Sequence, residues 1–177
     1  MTLALVRHGR TAWNHQRRMQ GRSDIPLDDH GRAQADAAGR ALAVAVWDGV
    51  VSSPFARARQ TAAIVAAHLP NLSHDVDARL GERDYGEAEG LAVAEAYERW
   101  PRHDFPGSEP IEEVARRGAE AIRDLADEGR NAVVVAHGTL LRLAIGELTG
   151  TECPRILNGE TLLLDRTGGG FRARRLA

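Results

Sequence analysis

The sequence predicts an α/β fold in three layers, an α/β/α sandwich with a largely parallel central sheet. Short apolar runs alternate with longer stretches of helical periodicity, which is typical of strands joined through helices. The most continuous run, residues 132–136, contains only alanine and valine, as expected of a strand covered on both faces. The length of 177 residues suits one domain, and we expect residues 1–177 to form it.

In the first half of the chain, polar residues mark where the predicted helices begin. Asp28 can cap an alanine-rich helix. Ser53 can cap the next helix, with Pro54 in its first turn. The predicted elements are a strand at residues 3–6, a long functional loop at residues 9–27, a helix to about residue 46, a strand at residues 49–52 and a helix to about residue 69.

In the second half, glycines mark where predicted elements end. Gly150 can stop a helix, and the glycines at 168–170 can join the last two strands. The predicted elements are a helix around residues 92–100 inside an irregular segment, a helix at residues 110–128, a strand at residues 132–136, a helix at residues 140–149, and strands at residues 160–165 and 171–175.

Composition excludes several classes of function. All 23 basic residues are arginine, so the chain has no lysine for a Walker P-loop, a Schiff base or a pyridoxal-phosphate anchor. The formal net charge of −2 gives no reason to expect nucleic acid or a membrane as a partner. The histidines and carboxylates lack the spacing of metal ligands, so we expect neither a metal nor another cofactor.

The single cysteine, Cys153, bears on location and on chemistry. It cannot form an internal disulfide, which fits a reducing compartment. The first apolar run, residues 3–6, is too short for a signal peptide. We therefore expect a cytoplasmic protein. No arginine closes a phosphate loop after Cys153, so the sequence does not support a cysteine-based phosphatase.

Two predicted strands end in a histidine followed by a glycine, His8-Gly9 and His137-Gly138. Ligands of such sheets gather at the carboxyl ends of the strands, and Arg57 follows a third strand. Because neighbouring strands lie ~4.8 Å apart, side chains from their ends can converge on one small anion. Taken alone, each of these residues would also suit an ordinary loop or surface position.

Four blocks of residues carry a family resemblance. They are Arg7-His8-Gly9 with Asn14, Gln20 and Gly21; Ser52-Ser53-Pro54 with Arg57; Leu80-Gly81-Glu82 with Glu89 and Gly90; and Val135-Ala136-His137-Gly138. In this order they resemble the signature of the histidine phosphatase superfamily, the phosphoglycerate-mutase-like clan. The resemblance reaches from residue 3 to about residue 146. It implies a phosphoglycerate-mutase-like fold and metal-independent hydrolysis of phosphomonoesters.

The resemblance also implies roles for individual residues. His8 is expected to be the nucleophile that becomes phosphohistidine, and Glu82 the proton donor to the leaving group. Arg7, Arg57 and His137 are expected to clamp the phosphoryl oxygens. The residues expected to contact the phosphoryl group or the substrate, or to form the pocket wall, are Asn14, Gln20, Gly21 and Gly138.

Phosphoryl transfer asks for the same residue types. An imidazole is largely neutral and nucleophilic near pH 7, and a backbone carbonyl should hold one N–H so that the other nitrogen faces phosphorus. Gly9 would let the chain come close enough to supply that carbonyl. Arginine forks bind phosphoryl oxygens in pairs, and a protonated His137 would join them. A carboxylic acid such as Glu82 can protonate the leaving alkoxide.

Two positions depart from the family pattern. Arg10 stands where glutamate or glutamine is usual, and Ala88 stands where tryptophan is usual. We expect Arg10 to make the mouth of the site more cationic and Ala88 to leave the mouth more room.

Two alternatives to a phosphatase remain open. A phosphoglycerate mutase would return the phosphoryl group to a substrate, but such mutases carry a longer insertion than the 54 residues (83–136) between Glu82 and His137. A non-catalytic phospholigand-binding module would need no nucleophile, and intact His8, Glu82 and His137 argue against it. The sequence therefore favours a phosphatase that acts on a small phosphorylated substrate.

Overall fold

A computed structural model of the chain describes residues 1–70 and 72–176. The strands are β1 (Thr2–Arg7), β2 (Gly49–Ser52), β3 (His74–Val76), β4 (Ala132–Ala136), β5 (Thr161–Thr167) and β6 (Gly170–Arg175). The helices are α1 (Ala12–His15), α2 (Asp29–Leu42), α3 (Ala56–Ala66), α4 (Val93–Arg99), α5 (Ile111–Asp127) and α6 (Gly138–Thr149), with 3₁₀ turns at Ala78–Leu80 and Gly86–Ala88.

The six strands form one sheet in the order β3-β2-β4-β1-β5-β6. The first four of these are mutually parallel. β5 runs antiparallel to β1, and β6 pairs antiparallel with β5. The largely parallel sheet is as predicted, with an antiparallel hairpin added at one edge.

Helices cover both faces of the sheet, because alternate residues of each central strand point to opposite sides. Leu3, Leu5 and Val134 pack with residues of α5 and α6 in one core. Ala4 and Val133 pack with residues of α2 and α3 in the other. The predicted α/β/α sandwich is confirmed.

The end of α2 and the start of α3 differ from prediction. α2 ends at Leu42 rather than near residue 46, and the indole N–H of Trp47 donates to the Leu42 carbonyl at 2.8 Å. α3 begins at Ala56 with Phe55 as its N-cap, so the predicted cap at Ser53 is wrong. The Ser53 hydroxyl is instead bonded to His137.

The short elements were not predicted. β3 is three exposed residues without an apolar pattern, and α1 is a single turn whose Thr11 and Asn14 form a capping box. α6 starts two residues earlier than predicted, at Gly138, and ends before Gly150, which has a left-handed φ of 66°.

Over residues 1–70 and 72–176, no helix is long and apolar enough to cross a membrane.

Candidate active site

Three neighbouring strands, β2, β4 and β1, end at one edge of the sheet. Arg7 is in register with Ala136, and Ser52 with Val135. The ladder continues one residue further, since the N–H of His8 donates to the Ala136 carbonyl at 2.9 Å. His8, Ser53 and His137 therefore leave the sheet side by side.

The ring of His8 is oriented by its own neighbour. His8 is 3% exposed, and its Nδ1 lies 2.7 Å from the carbonyl oxygen of Gly9. A carbonyl only accepts, so Nδ1 carries the ring hydrogen and Nε2 keeps a lone pair. Burial, together with the charges of Arg57 and Arg7, holds the pKa of His8 well below its ordinary value. The ring is thus neutral, the form that a nucleophile needs.

Gly9 is required by a close approach of the backbone. A Cβ at Gly9 would lie 2.2 Å from the carbonyl oxygen of Gly31 in α2, closer than any side chain allows. The N–H of Gly9 also donates to Thr61 Oγ1 on α3 at 3.0 Å. The carbonyl that holds the His8 ring is therefore fixed by two helices.

His137 is a neutral hydrogen-bond donor in this site. The buried Arg57 donates from Nε to His137 Nδ1 at 3.2 Å. A guanidinium group cannot accept, so the ring hydrogen is on Nε2, which donates to Ser53 Oγ at 2.7 Å. Burial and the charge of Arg57 hold the pKa of His137 well below its ordinary value. The structure therefore gives His137 a neutral ring, unlike the protonated ring expected from the sequence. The His137 ring centroid lies 5.1 Å from that of His8.

Arg57 is held by a loop that a second carboxylate organises. Its Nη1 donates to the Ser23 carbonyl at 2.8 Å and its Nη2 to the Gly21 carbonyl at 2.7 Å. Glu89 accepts from the N–H groups of Gly21 and Ser23 and so fixes both carbonyls. Burial lowers the pKa of Arg57 to about 10. Glu89 belongs to the third block, but no role for it was expected from the sequence.

Glu82 links the site to the start of α6. Its Oε1 accepts from the N–H groups of Arg83 at 2.9 Å and Leu140 at 3.0 Å, and its Oε2 from Thr139 at 3.1 Å. Thr139 and Leu140 lie in the first turn of α6, where backbone N–H groups have no partner within the helix. The carboxyl group of Glu82 therefore caps α6 and is fixed beside His137.

A cavity of about 470 Å³ opens beside these groups. The site residues that line it are Arg7, Asn14, Gln20, Glu82 and Gly138. His8, Arg57 and His137 are almost completely buried next to them. Gly21 was expected in the wall; its carbonyl accepts from Arg57 and its N–H donates to Glu89.

The segment before β5 also holds the backbone at His8. Asn158 Nδ2 donates to the His8 carbonyl and to Asn14 Oδ1, both at 3.1 Å. Arg7 Nη1 donates to the Ile156 carbonyl at 2.7 Å. This segment was not predicted to belong to the site, because it lies beyond the four blocks and Asn158-Gly159 has only the pattern of a turn.

The two departures from the family pattern do not act as expected. Arg10 forms an ion pair with Asp28 at 2.8 Å. Asp28 therefore neutralises its charge, and Arg10 does not make the mouth of the site more cationic. Ala88 is fully buried in a small apolar cluster with Met19, Ala96 and Phe105. It therefore adds no room to the mouth.

No group of three or more His, Cys, Asp or Glu in the described part of the chain is arranged to hold a metal ion. Metal independence stays a prediction that an assay must test.

The two buried histidines make stability depend on pH. In the folded chain His8 and His137 take up protons only well below their ordinary pKa, whereas in the unfolded chain they titrate near pH ~6.5. Below that pH the unfolded chain binds more protons, so the free energy of unfolding must fall as the pH falls. We expect the urea midpoint to drop between about pH 7.5 and about pH 5.5.

The control for this pH effect separates His8 from other histidines. His8→Asn retains an N–H for the Gly9 carbonyl and should show a shallower loss of stability on acidification. His15→Asn, at an exposed position, should keep the full loss. An equal fall of the urea midpoint with pH in wild type and His8→Asn would show that His8 does not contribute to the pH dependence of stability.

Comparisons with known proteins agree with the geometry. Residues 3–177 match the histidine phosphatase superfamily (branch 1). The uncharacterized phosphatase PhoE of Bacillus subtilis is 38% identical over 154 residues, covering 85% of this chain and 78% of the relative. A 2,3-bisphosphoglycerate-dependent phosphoglycerate mutase 2 of Gloeobacter violaceus is 32% identical over 163 residues, covering 82% of this chain and 74% of the relative.

A solved structure shares the fold over nearly the whole length. A mycobacterial glucosyl-3-phosphoglycerate phosphatase in complex with VO3 superposes with a TM-score of 0.87 at 27% identity, covering 99% of this chain and 97% of that one. A phosphatase of known structure thus shares this arrangement of strands and helices. The chain belongs to the histidine phosphatase superfamily, branch 1.

Proposed function

We propose that this chain is a metal-independent phosphomonoester hydrolase that acts in two steps through a phosphohistidine on His8, with residues 1–177 as one catalytic domain. One observation carries the proposal. The neutral His8 ring has its Nδ1–H held by the Gly9 carbonyl, so its Nε2 keeps a free lone pair beside the positive charges of Arg57 and Arg7.

In the first step, His8 Nε2 attacks phosphorus and the phosphorus–oxygen bond to the leaving group breaks. The leaving alkoxide takes a proton from the carboxyl group of Glu82. In the second step, water attacks the phosphohistidine and Glu82 accepts its proton. Inorganic phosphate leaves, and His8 returns to its neutral form.

In the proposed clamp, Arg57 and Arg7 have N–H groups that remain available to bind phosphoryl oxygens. Arg57 has five N–H groups, of which three bind His137, Ser23 and Gly21. Arg7 Nε is buried and has no acceptor among the described residues. An anion with three equatorial oxygens would satisfy these groups, which is what phosphoryl transfer requires.

The mutase remains the second candidate, because a phosphoglycerate mutase is among the relatives. A mutase must protect its phosphohistidine from water while the bound intermediate reorients in the site. Here Val93 and Tyr97 of the seven-residue α4 line the cavity, and this short helix provides little cover. We therefore favour water as the acceptor of the phosphoryl group.

The assay that tests the function follows phosphate release from phosphorylated metabolites after exhaustive chelation. We expect release to persist and vanadate to inhibit competitively, since its adduct mimics the transition state. 3-Phosphoglycerate supplied with catalytic 2,3-bisphosphoglycerate should yield free phosphate rather than 2-phosphoglycerate.

Each opposite result has a definite meaning. Restoration of a chelated, inactive enzyme by one divalent metal would overturn metal independence. Rapid isomerisation with little phosphate release would identify a mutase. Binding of phosphorylated ligands without either reaction would identify the non-catalytic module.

We also propose a cytoplasmic location and a small phosphorylated molecule as the substrate. The location is supported by Cys153, a free and buried thiol, which suits a reducing compartment.

A further inference from the structure

Three arginines line the cavity without belonging to the cluster around His8. Arg18 lies in the loop after α1, Arg142 on α6 and Arg155 in the loop before β5. All three are exposed. Within the described residues, the side chains of Arg18 and Arg142 donate only to uncharged oxygens. We call these three residues the arginine subsite.

Many arginines elsewhere on the surface are paired with carboxylates, as Arg116 is with Glu113 and Arg117 with Glu109. No carboxylate in the described part of the chain lies within 4.0 Å of a guanidinium nitrogen of the arginine subsite. Since the formal net charge of the whole chain is −2, this group is a local concentration of positive charge.

The cavity wall is cationic even when its acids are counted. Arg7 and the arginine subsite stand against two glutamates, Glu82 and Glu152. Burial lowers the pKa of Arg7 and the charge of Arg155 lowers it further, with Glu82 acting in the opposite direction. Arg7 and Arg155 therefore repel each other across the cavity, and an anion between them would relieve that repulsion.

Gln20 adds an uncharged donor to the same wall. The N–H of Thr11 donates to Asn14 Oδ1, so Asn14 must donate through Nδ2 to Gln20 Oε1. The Gln20 side chain is thereby oriented with Nε2 free, and this buried group has no acceptor among the described residues. A buried donor without a partner is costly, and an oxygen of a ligand in the cavity would supply one.

We propose that the arginine subsite binds a second anionic group of the substrate, a carboxylate or a further phosphate. The proposal rests on the phosphatase function above and names its substrate class, phosphomonoesters that carry another negative charge. Guanidinium groups form short, charge-assisted hydrogen bonds with such oxygens. The cavity volume of about 470 Å³ accommodates a small phosphorylated acid.

The test compares two substrates that differ at one group: 3-phosphoglycerate carries a carboxylate where glycerol 3-phosphate carries a hydroxymethyl group. Wild type should have a kcat/KM about tenfold or more higher for 3-phosphoglycerate, as expected for charge-assisted hydrogen bonds. Arg142→Gln and Arg155→Gln should each lower that value by about tenfold, chiefly through KM, and affect glycerol 3-phosphate far less. Arg123→Gln, an exposed arginine on α5 outside the cavity wall, is the matched control and should change neither.

Hydrolysis of p-nitrophenyl phosphate, which has no second anionic group, reports the phosphatase reaction itself in every variant. If this activity is present but the two three-carbon substrates are hydrolysed equally well, the subsite is overturned and the phosphatase function stands. The same holds if Arg142→Gln and Arg155→Gln behave like Arg123→Gln. A folded wild type that releases phosphate from none of the three substrates would overturn the phosphatase function, and the subsite with it.

Discussion

The His8→Ala variant should lose turnover by roughly 10⁴-fold or more, the scale expected when a covalent nucleophile is removed. No neighbouring ring can replace it. His137 has both nitrogens engaged, because Nδ1 accepts from Arg57 and Nε2 donates to Ser53. The measurement is kcat on p-nitrophenyl phosphate, with near-ultraviolet circular dichroism to show that the variant is folded.

A chemical trap makes the same prediction specific to the atom. Rapid quenching of wild type without acid should leave a labelled phosphoryl group on His8 that is labile to acid and stable to base. His8→Asn is the matched variant, because its amide can still donate to the Gly9 carbonyl and should preserve the loop. A folded His8→Asn or His8→Ala that keeps substantial activity would show that another residue is the nucleophile.

The Glu82→Gln variant should distinguish good from poor leaving groups. An alkoxide needs a proton as it leaves, whereas p-nitrophenolate needs almost none. We expect the loss of kcat on glycerol 3-phosphate to exceed the loss on p-nitrophenyl phosphate by ~10²-fold, the usual contribution of general acid catalysis. Both substrates are measured on the same preparation, so any loss of folded protein cancels in the ratio.

The structure defines what else Glu82→Gln changes. The side-chain carbonyl oxygen of the glutamine can still accept from the N–H groups of Arg83 and Leu140. Its amide nitrogen cannot accept, so the hydrogen bond from the Thr139 N–H is lost. A small loss of stability at the start of α6 is therefore expected, typically ~1 kcal/mol for a lost cap. Equal losses of kcat on the two substrates would assign Glu82 a positioning role through this cap, and not proton donation.

The central sheet could be predicted because its strands are covered on both faces. Residues 3–6 and 132–136 are continuous apolar runs, and such runs have few other uses in a chain of this size. β3 has no such signal, since its three residues are exposed and depend on pairing with β2. The end of α2 was placed too late because residues 43–46 keep an alanine-rich composition, while the hydrogen bond from the Trp47 indole to the Leu42 carbonyl is not visible in the sequence.

Candidate site residues could be predicted where a chemical step calls for a particular residue type. The structure brings together His8, Arg57, Glu82 and His137, which come from four separate blocks. The charge state of His137 could not be read from sequence, because it depends on a buried guanidinium group that only donates. The arginine subsite was also missed, because its members come from three unrelated segments and look like ordinary surface arginines.

The position of β5 has a consequence for the order in which the molecule is completed. A nascent chain that ends after α6 already contains every side chain of the proposed reaction, yet it lacks Asn158 and the Ile156 carbonyl, which hold the His8 loop and Arg7. It also leaves β1, an apolar strand, as an open sheet edge until β5 pairs with it. Open edges of this kind recruit other chains, so truncated products should aggregate rather than persist as partly active enzyme.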